Sequence, residues 1–178
     1  MTKSDPRAER PRHELDPRRE VSLESLVELP ITPLGLAGIY LGEDVDAVVA
    51  RIGEPEVRRP VSEDLEGDLE SLEYGPFAII GKGGRVFALW ALEGYRGETM
   101  GGIGVGMPWA ELQRVAPGVT FDEQRYAWIV PGWPYLGIEV GRPSRDEEVE
   151  DEGPWTEEWY EVTDPAHTFI SLIAISVE

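Results

Sequence analysis

Two histidines, His13 and His167, are the only side chains here whose ordinary titration falls near neutral pH. His167 follows Asp164-Pro165 and precedes Ser171, so a serine–histidine–aspartate relay can be drawn along this stretch. A serine nucleophile needs a glycine-flanked elbow to present its hydroxyl, whereas Ser171 sits inside the apolar run 169–177, which reads as a strand. His167 beside a turn therefore reads as structural, and His13 falls in a Pro- and Arg-rich leader. Carboxylates are plentiful, but glycoside chemistry requires two at a set separation with one desolvated. The acids here crowd into loops, where water screens them. The run Asp146-Glu147-Glu148-Val149-Glu150-Asp151-Glu152 lacks the Asp-x-Asp-x-Asp-Gly spacing that folds ligands around calcium. Gly81-Lys82-Gly83-Gly84 lacks the phosphate-loop spacing and joins two apolar runs, as a hairpin turn does. The expectation is a chain with no catalytic residue, no metal and no cofactor.

The residue types that remain suit recognition. Trp128, Trp133 and Tyr135 belong to one aromatic hairpin, and Trp133 lies between Pro131-Gly132 and Pro134. Tryptophan and tyrosine dominate the buried centres of protein interfaces. Further on, nine acids and two bases fall between Arg142 and Glu161, with Trp155, Trp159 and Tyr160 among them. Either these aromatics pin an acidic loop to the fold or they are presented to a partner. The partner-binding set expected on these grounds is Trp128, Trp133, Tyr135, Asp146, Glu147, Glu148, Glu150, Asp151, Glu152, Trp155, Glu157 and Glu158.

Charge points the same way. The chain carries 35 acids against 16 bases, a net of −19. Such a field repels nucleic-acid phosphates and anionic membranes and draws in a basic protein. The absence of cysteine rules out disulfides and thiol chemistry and suits a reducing compartment. No apolar run reaches the ~20 residues of a membrane span, and the start of the chain does not read as a secretion signal. The expected location is the cytoplasm.

What must position these groups is a pattern that occurs twice. Gly38-Ile39-Tyr40-Leu41-Gly42 leads into a stretch with Val45, Val48, Val49 and Ile52 at helical spacing, ended by Gly53-Glu54-Pro55. Sixty-four positions on, Gly102-Ile103-Gly104-Val105-Gly106 leads into Trp109, Leu112 and Val115, ended by Pro117-Gly118. Asp44 is placed to cap the first helix, and Pro108 suits the opening turn of the second. Each helix precedes short apolar runs. The first set spans 56–60, 71–74, 77–80 and 85–92; the second spans 119–121, 126–130, 136–140 and 169–177. Residues 21–29 form a short helix or strand laid on the core, and Trp90 and Trp109 are assigned to that core. The expected organisation is a disordered leader, residues 1–20, before a single domain, residues 21–178. That domain contains two repeats, about 36–98 and 99–178, the second carrying an acidic insertion at about 142–165.

A Gly-led short helix ending in Gly-x-Pro, then a meander with the Tyr74-Gly75-Pro76 hairpin, resembles the tandem α+β repeat of the β-lactamase inhibitory protein and the BamE/SmpA-OmlA lipoproteins. The second-copy positions carrying it are Gly102, Ile103, Gly106, Trp109 and Leu112. The resemblance implies an α+β fold of two tandem helix-plus-antiparallel-meander units, forming one curved sheet with the helices on one side and a concave face that grips a partner protein. The chain departs from the proteins it resembles in having no cysteine and no secretion signal. Small acidic cytosolic proteins of this kind also look like bacterial immunity proteins. The function expected is then a protein-binding inhibitor, an immunity protein that masks the active site of a basic toxin domain of nuclease or deaminase type. The alternatives are a small-ligand site or enzyme using carboxylates in the concave sheet, or a non-inhibitory assembly factor.

Overall fold

Helix formation follows the capping chemistry. In the computed structural model, which describes residues 22–61, 69–125, 127–133, 135–141 and 168–176, the Asp44 side chain accepts a hydrogen bond from the Ala47 N–H at 3.1 Å and opens α2, Val45–Ile52. Gly53 closes the helix at φ 98°, a conformation that favours glycine. Val45, Val48, Val49 and Ile52 are all buried. A shorter helix, α1 (Leu23–Leu26), is capped by Ser22. The third, α3 (Trp109–Val115), starts after Pro108 with no side-chain cap and buries Trp109 and Leu112.

The remaining elements are strands. A small ribbon pairs β1 (Gly35–Leu36) with β2 (Ile39–Tyr40). The large sheet is built from β3 (Val57–Pro60), β4 (Leu69–Glu73), β5 (Phe77–Lys82) and β6 (Arg85–Ala91), then β7 (Thr120–Asp122), β8 (Ala127–Ile129), β9 (Leu136–Gly141) and β10 (Phe169–Ser176). Its eight strands run in the order β3-β4-β5-β6-β10-β9-β8-β7, and every neighbouring pair is antiparallel. Two consecutive meanders thus meet where β6 pairs with β10. The chain is α+β, with strands predominating.

Backbone contacts recur between the two halves. Gly42 N–H donates to Val86 O, Val86 N–H to Glu43 O, and Val45 N–H to Gly84 O. Gly106 N–H donates to Ile170 O, Ile170 N–H to Met107 O, and Trp109 N–H to Thr168 O. The helix-side partners stand 64 positions apart and the strand-side partners 84. A register shift recurs as well. Phe87 is the extra residue where β6 meets β5, and Ser171, 84 positions later, is the extra residue where β10 meets β9.

One buried cluster joins the helices to one face of the sheet. It holds Leu26, Val45, Val48, Ile52, Trp109 and Leu112 from the helices, and Leu72, Phe77, Ile79, Val86, Leu89, Ala91, Leu136, Ile138, Ile170, Ile173 and Ile175 from the strands. Each fully buried aliphatic side chain contributes about 1.5–3 kcal/mol. Two tyrosines tie loops to this core. Tyr95 Oη accepts from the Ala37 N–H at 2.9 Å and donates to Leu29 O at 2.8 Å, and Tyr74 Oη donates to Gly53 O at 3.0 Å. Burial pushes the Tyr95 hydroxyl up to about 12; burial, aided by the nearby Glu54 carboxylate, does the same for Tyr74.

One expectation is corrected. Trp109 is core at 3% exposure, but Trp90 is only partly buried and turns to the opposite face of the sheet, because it alternates with the core residues Leu89 and Ala91. The expected leader at 1–20, the insertion at 142–165, and His13, His167, Asp164, Trp159 and Tyr160 lie outside the described residues. So do the site residues Asp146, Glu147, Glu148, Glu150, Asp151, Glu152, Trp155, Glu157 and Glu158.

Candidate partner-binding face

An antiparallel sheet covered on one face normally alternates apolar and polar residues. The central strands here do not. Along β5, β6, β9 and β10, the residues between those of the core are Ala78, Ile80, Phe87, Ala88, Trp90, Gly137, Glu139, Ser171, Leu172 and Ala174. Glu139 and Ser171 are the polar ones among them, with Lys82, Arg85 and Ser176 at the strand ends. Ala78, Ile80 and Ala88 are buried, while Trp90, Gly137, Leu172 and Ala174 are half-buried. All three described helices contribute their buried side chains to the cluster on the other face.

The strand pairings set this second face in rows. One row crosses the whole sheet as Val57, Glu73, Ala78, Trp90, Ala174, Gly137, Ile129 and Thr120, each residue the direct partner of the next. Trp90 is its one aromatic residue, with Ala78 on one side and Ala174 on the other. Val57 at the edge is 42% exposed. Beyond Trp90 the surface is low. A Cβ placed on Gly137 would lie 3.1 Å from the Ala127 Cβ and 4.0 Å from the Ala174 Cβ, so the two methyls flank the glycine closely.

The polar groups of this face differ in how they are satisfied. Glu73 is held by Arg59 at 2.7 Å. Lys82 stands 5.4 Å from the centre of the Phe87 ring, in cation–π reach. The Glu139 carboxylate meets no cation among the described residues, and the Ser171 hydroxyl donates to its backbone oxygen instead. Its side chain reaches solvent, yet the apolar surface beside it removes enough water to raise its carboxyl above the usual carboxylate range.

The aromatics singled out from the sequence occupy different ground. Trp128 lies on the core side, its ring 4.6 Å from that of Trp109 and 5.4 Å from that of Phe121. Its Nε1–H is closed off from water and meets no acceptor. Trp133 and Tyr135 are half-buried and pack against the core cluster, so the tight turn from Val130 to Leu136 folds Trp133 inward despite its flanking prolines and glycine. The structure brings these three toward the core and sets Trp90, half-buried, on the second face of the sheet. The signal for that face was present in the sequence, since a run such as Phe77-Ala78-Ile79-Ile80 without polar alternation belongs to a strand with two apolar faces. Ser171 is the extra residue of a bulge within β10. Among the described residues no group of three potential ligand side chains gathers around a metal position, and no helix is long and apolar enough to cross a membrane.

No protein-family model matches the chain, and no curated protein and no solved structure matches it.

Proposed function

We propose that the chain is a protein-binding inhibitor of the immunity type, whose second sheet face, the one carrying Trp90, covers the active site of a basic toxin domain of nuclease or deaminase type. One observation carries the reading: the central strands are apolar on both faces, while the described helices account for only one. A contiguous apolar surface rimmed by polar groups is the usual mark of a protein-interaction site. The net charge of −19 supports a basic occupant over a second copy, since two copies would bring like charges together. Charge would speed encounter, and burial of Trp90 would supply the anchor.

The same reading takes the architecture as two tandem helix-plus-meander units, sharing one curved sheet with the helices on one side. The 64-residue sequence repeat and the recurring backbone contacts support it. The offset of 84 rather than 64 on the strand side is accounted for by the insertion before β10. Trp128, Trp133, Tyr135 and the acids of residues 146–158 then act at the rim or in positioning.

The test is co-expression with any basic toxin-domain protein found encoded next to this gene. Wild-type chain should restore growth of cells making that protein, and Trp90→Asp should not, while accumulating as a folded protein. Equal protection by both would remove the sheet face from the mechanism.

A further inference from the structure

We propose that Glu139 and the low patch of Ala127, Gly137 and Ala174 beside Trp90 together recognise one arginine or lysine of the partner and the bulky apolar residue next to it. The inference rests on the sheet face being the protein-binding surface, and it assigns the chemistry read there.

The patch has a floor and two walls. Ala174 and Gly137 are consecutive members of the cross-sheet row, with Trp90 before them and Ile129 after. Three strand spacings separate Trp90 from Ile129, about 14 Å. The span between these walls matches one aromatic or branched aliphatic group laid over two methyls and a glycine. The Ala127 and Ala174 methyls flank Gly137 closely, since a Cβ added there would lie 3.1 Å and 4.0 Å from them.

Glu139 lies two residues along β9 from Gly137, so its side chain leaves the same face roughly 7 Å away. That is the reach between neighbouring side chains of a bound segment. Its carboxylate is the unpaired acid of this face among the described residues. Glu73, on the same face, is already neutralised by Arg59, and Glu70, on β4, by Arg58. A carboxylate beside apolar surface and without a cation gains most from one brought by a partner. The net charge of −19 favours the approach of such a cation.

A random peptide library displayed on phage and selected on the immobilised full chain tests this, using wild type, Glu139→Gln, Ala174→Leu and Trp90→Ala, each checked to be folded at the temperature of selection by a cooperative melt. Peptides selected by wild type should carry arginine or lysine within a few residues of a bulky apolar side chain. They should bind Glu139→Gln at least about tenfold more weakly, the worth of one charge-assisted contact. Peptides selected on Glu139→Gln should lose the basic residue and keep the apolar one, and Ala174→Leu should do the reverse. If wild-type peptides lose affinity with Trp90→Ala but not with Glu139→Gln, the recognition point is overturned and the binding face stands. If Trp90→Ala is also silent, the face itself is overturned. Sedimentation showing a wild-type dimer that Trp90→Ala dissolves would overturn the basic partner in favour of a second copy.

Discussion

Trp90 and Ala174 stand directly opposite one another where β6 meets β10, both turned away from the helices. The pair sits at the midpoint of the sheet, with four strands on either side of the seam. Its neighbours on β6, Leu89 and Ala91, pair with Ile175 and Ile173 on the core face. Adjacent residues of one strand therefore serve two surfaces, and substitutions should separate them. Leu89→Ala, fully buried, is expected to lower stability by about 2–5 kcal/mol. Trp90→Ala, half-buried, is expected to cost only about 1–2 kcal/mol. Urea unfolding of both variants measures the difference, and equal losses would place Trp90 in the core.

Tyr95 fixes the segment that joins the two meanders to the start of the fold. Tyr95→Phe strands the Ala37 N–H and the Leu29 carbonyl, both served by one hydroxyl. The expected loss is about 2–3 kcal/mol, read from denaturant unfolding.

Alkali should expose the same tyrosine. The folded hydroxyls of Tyr95 and Tyr74 are raised to about 12 from an ordinary value near 10. An acid whose folded value is raised holds its stabilising contribution below the unfolded value and loses it as pH climbs through the folded one. Stability should thus hold up to about pH 10 and fall between about 10 and 12. Absorbance titration of phenolate should show two of the six tyrosines ionising last, with the unfolding transition.

Two glycines make opposite predictions. A Cβ on Gly97 would lie 2.0 Å from Leu29 O, a backbone atom with nowhere to go. Gly97→Ala should cost more than about 3 kcal/mol. Gly42 has φ 82° but open space around it, so Gly42→Ala should cost only about 1 kcal/mol. Thermal melts of the two variants give the comparison.

Asp44 and Pro108 occupy matching places before α2 and α3, yet only Asp44 caps its helix. Asp44→Ala should lose about 1 kcal/mol, and Pro108→Asp should gain about 0.5–1 kcal/mol by supplying the missing acceptor. The substitution removes no donor, because proline has none. Paired unfolding curves decide it.

The α+β class and most element positions were legible because local chemistry set them. Asp44 and Gly53 bracket an apolar stripe at helical spacing, and Gly83-Gly84, at φ 55° and 73°, forms the tight turn that β5 and β6 require. The meeting of β6 with β10 was not legible, since it joins residues 91 and 173 with no local signal between them. The candidate face was missed for a related reason. A tryptophan in a continuous apolar run looks like core, and periodicity cannot say which side of a two-faced strand it occupies. Trp133 shows the converse: neighbouring proline and glycine say only that a turn is near, whereas the indole packs half-buried against the core.

The most direct measurement is calorimetric titration of a basic protein found encoded next to this gene into wild-type chain and Trp90→Ala, at low and high salt. Wild-type binding should be tight and weaken as salt rises, with Trp90→Ala losing at least about 2 kcal/mol of affinity. Binding that ignores both salt and Trp90 would contradict the proposed function.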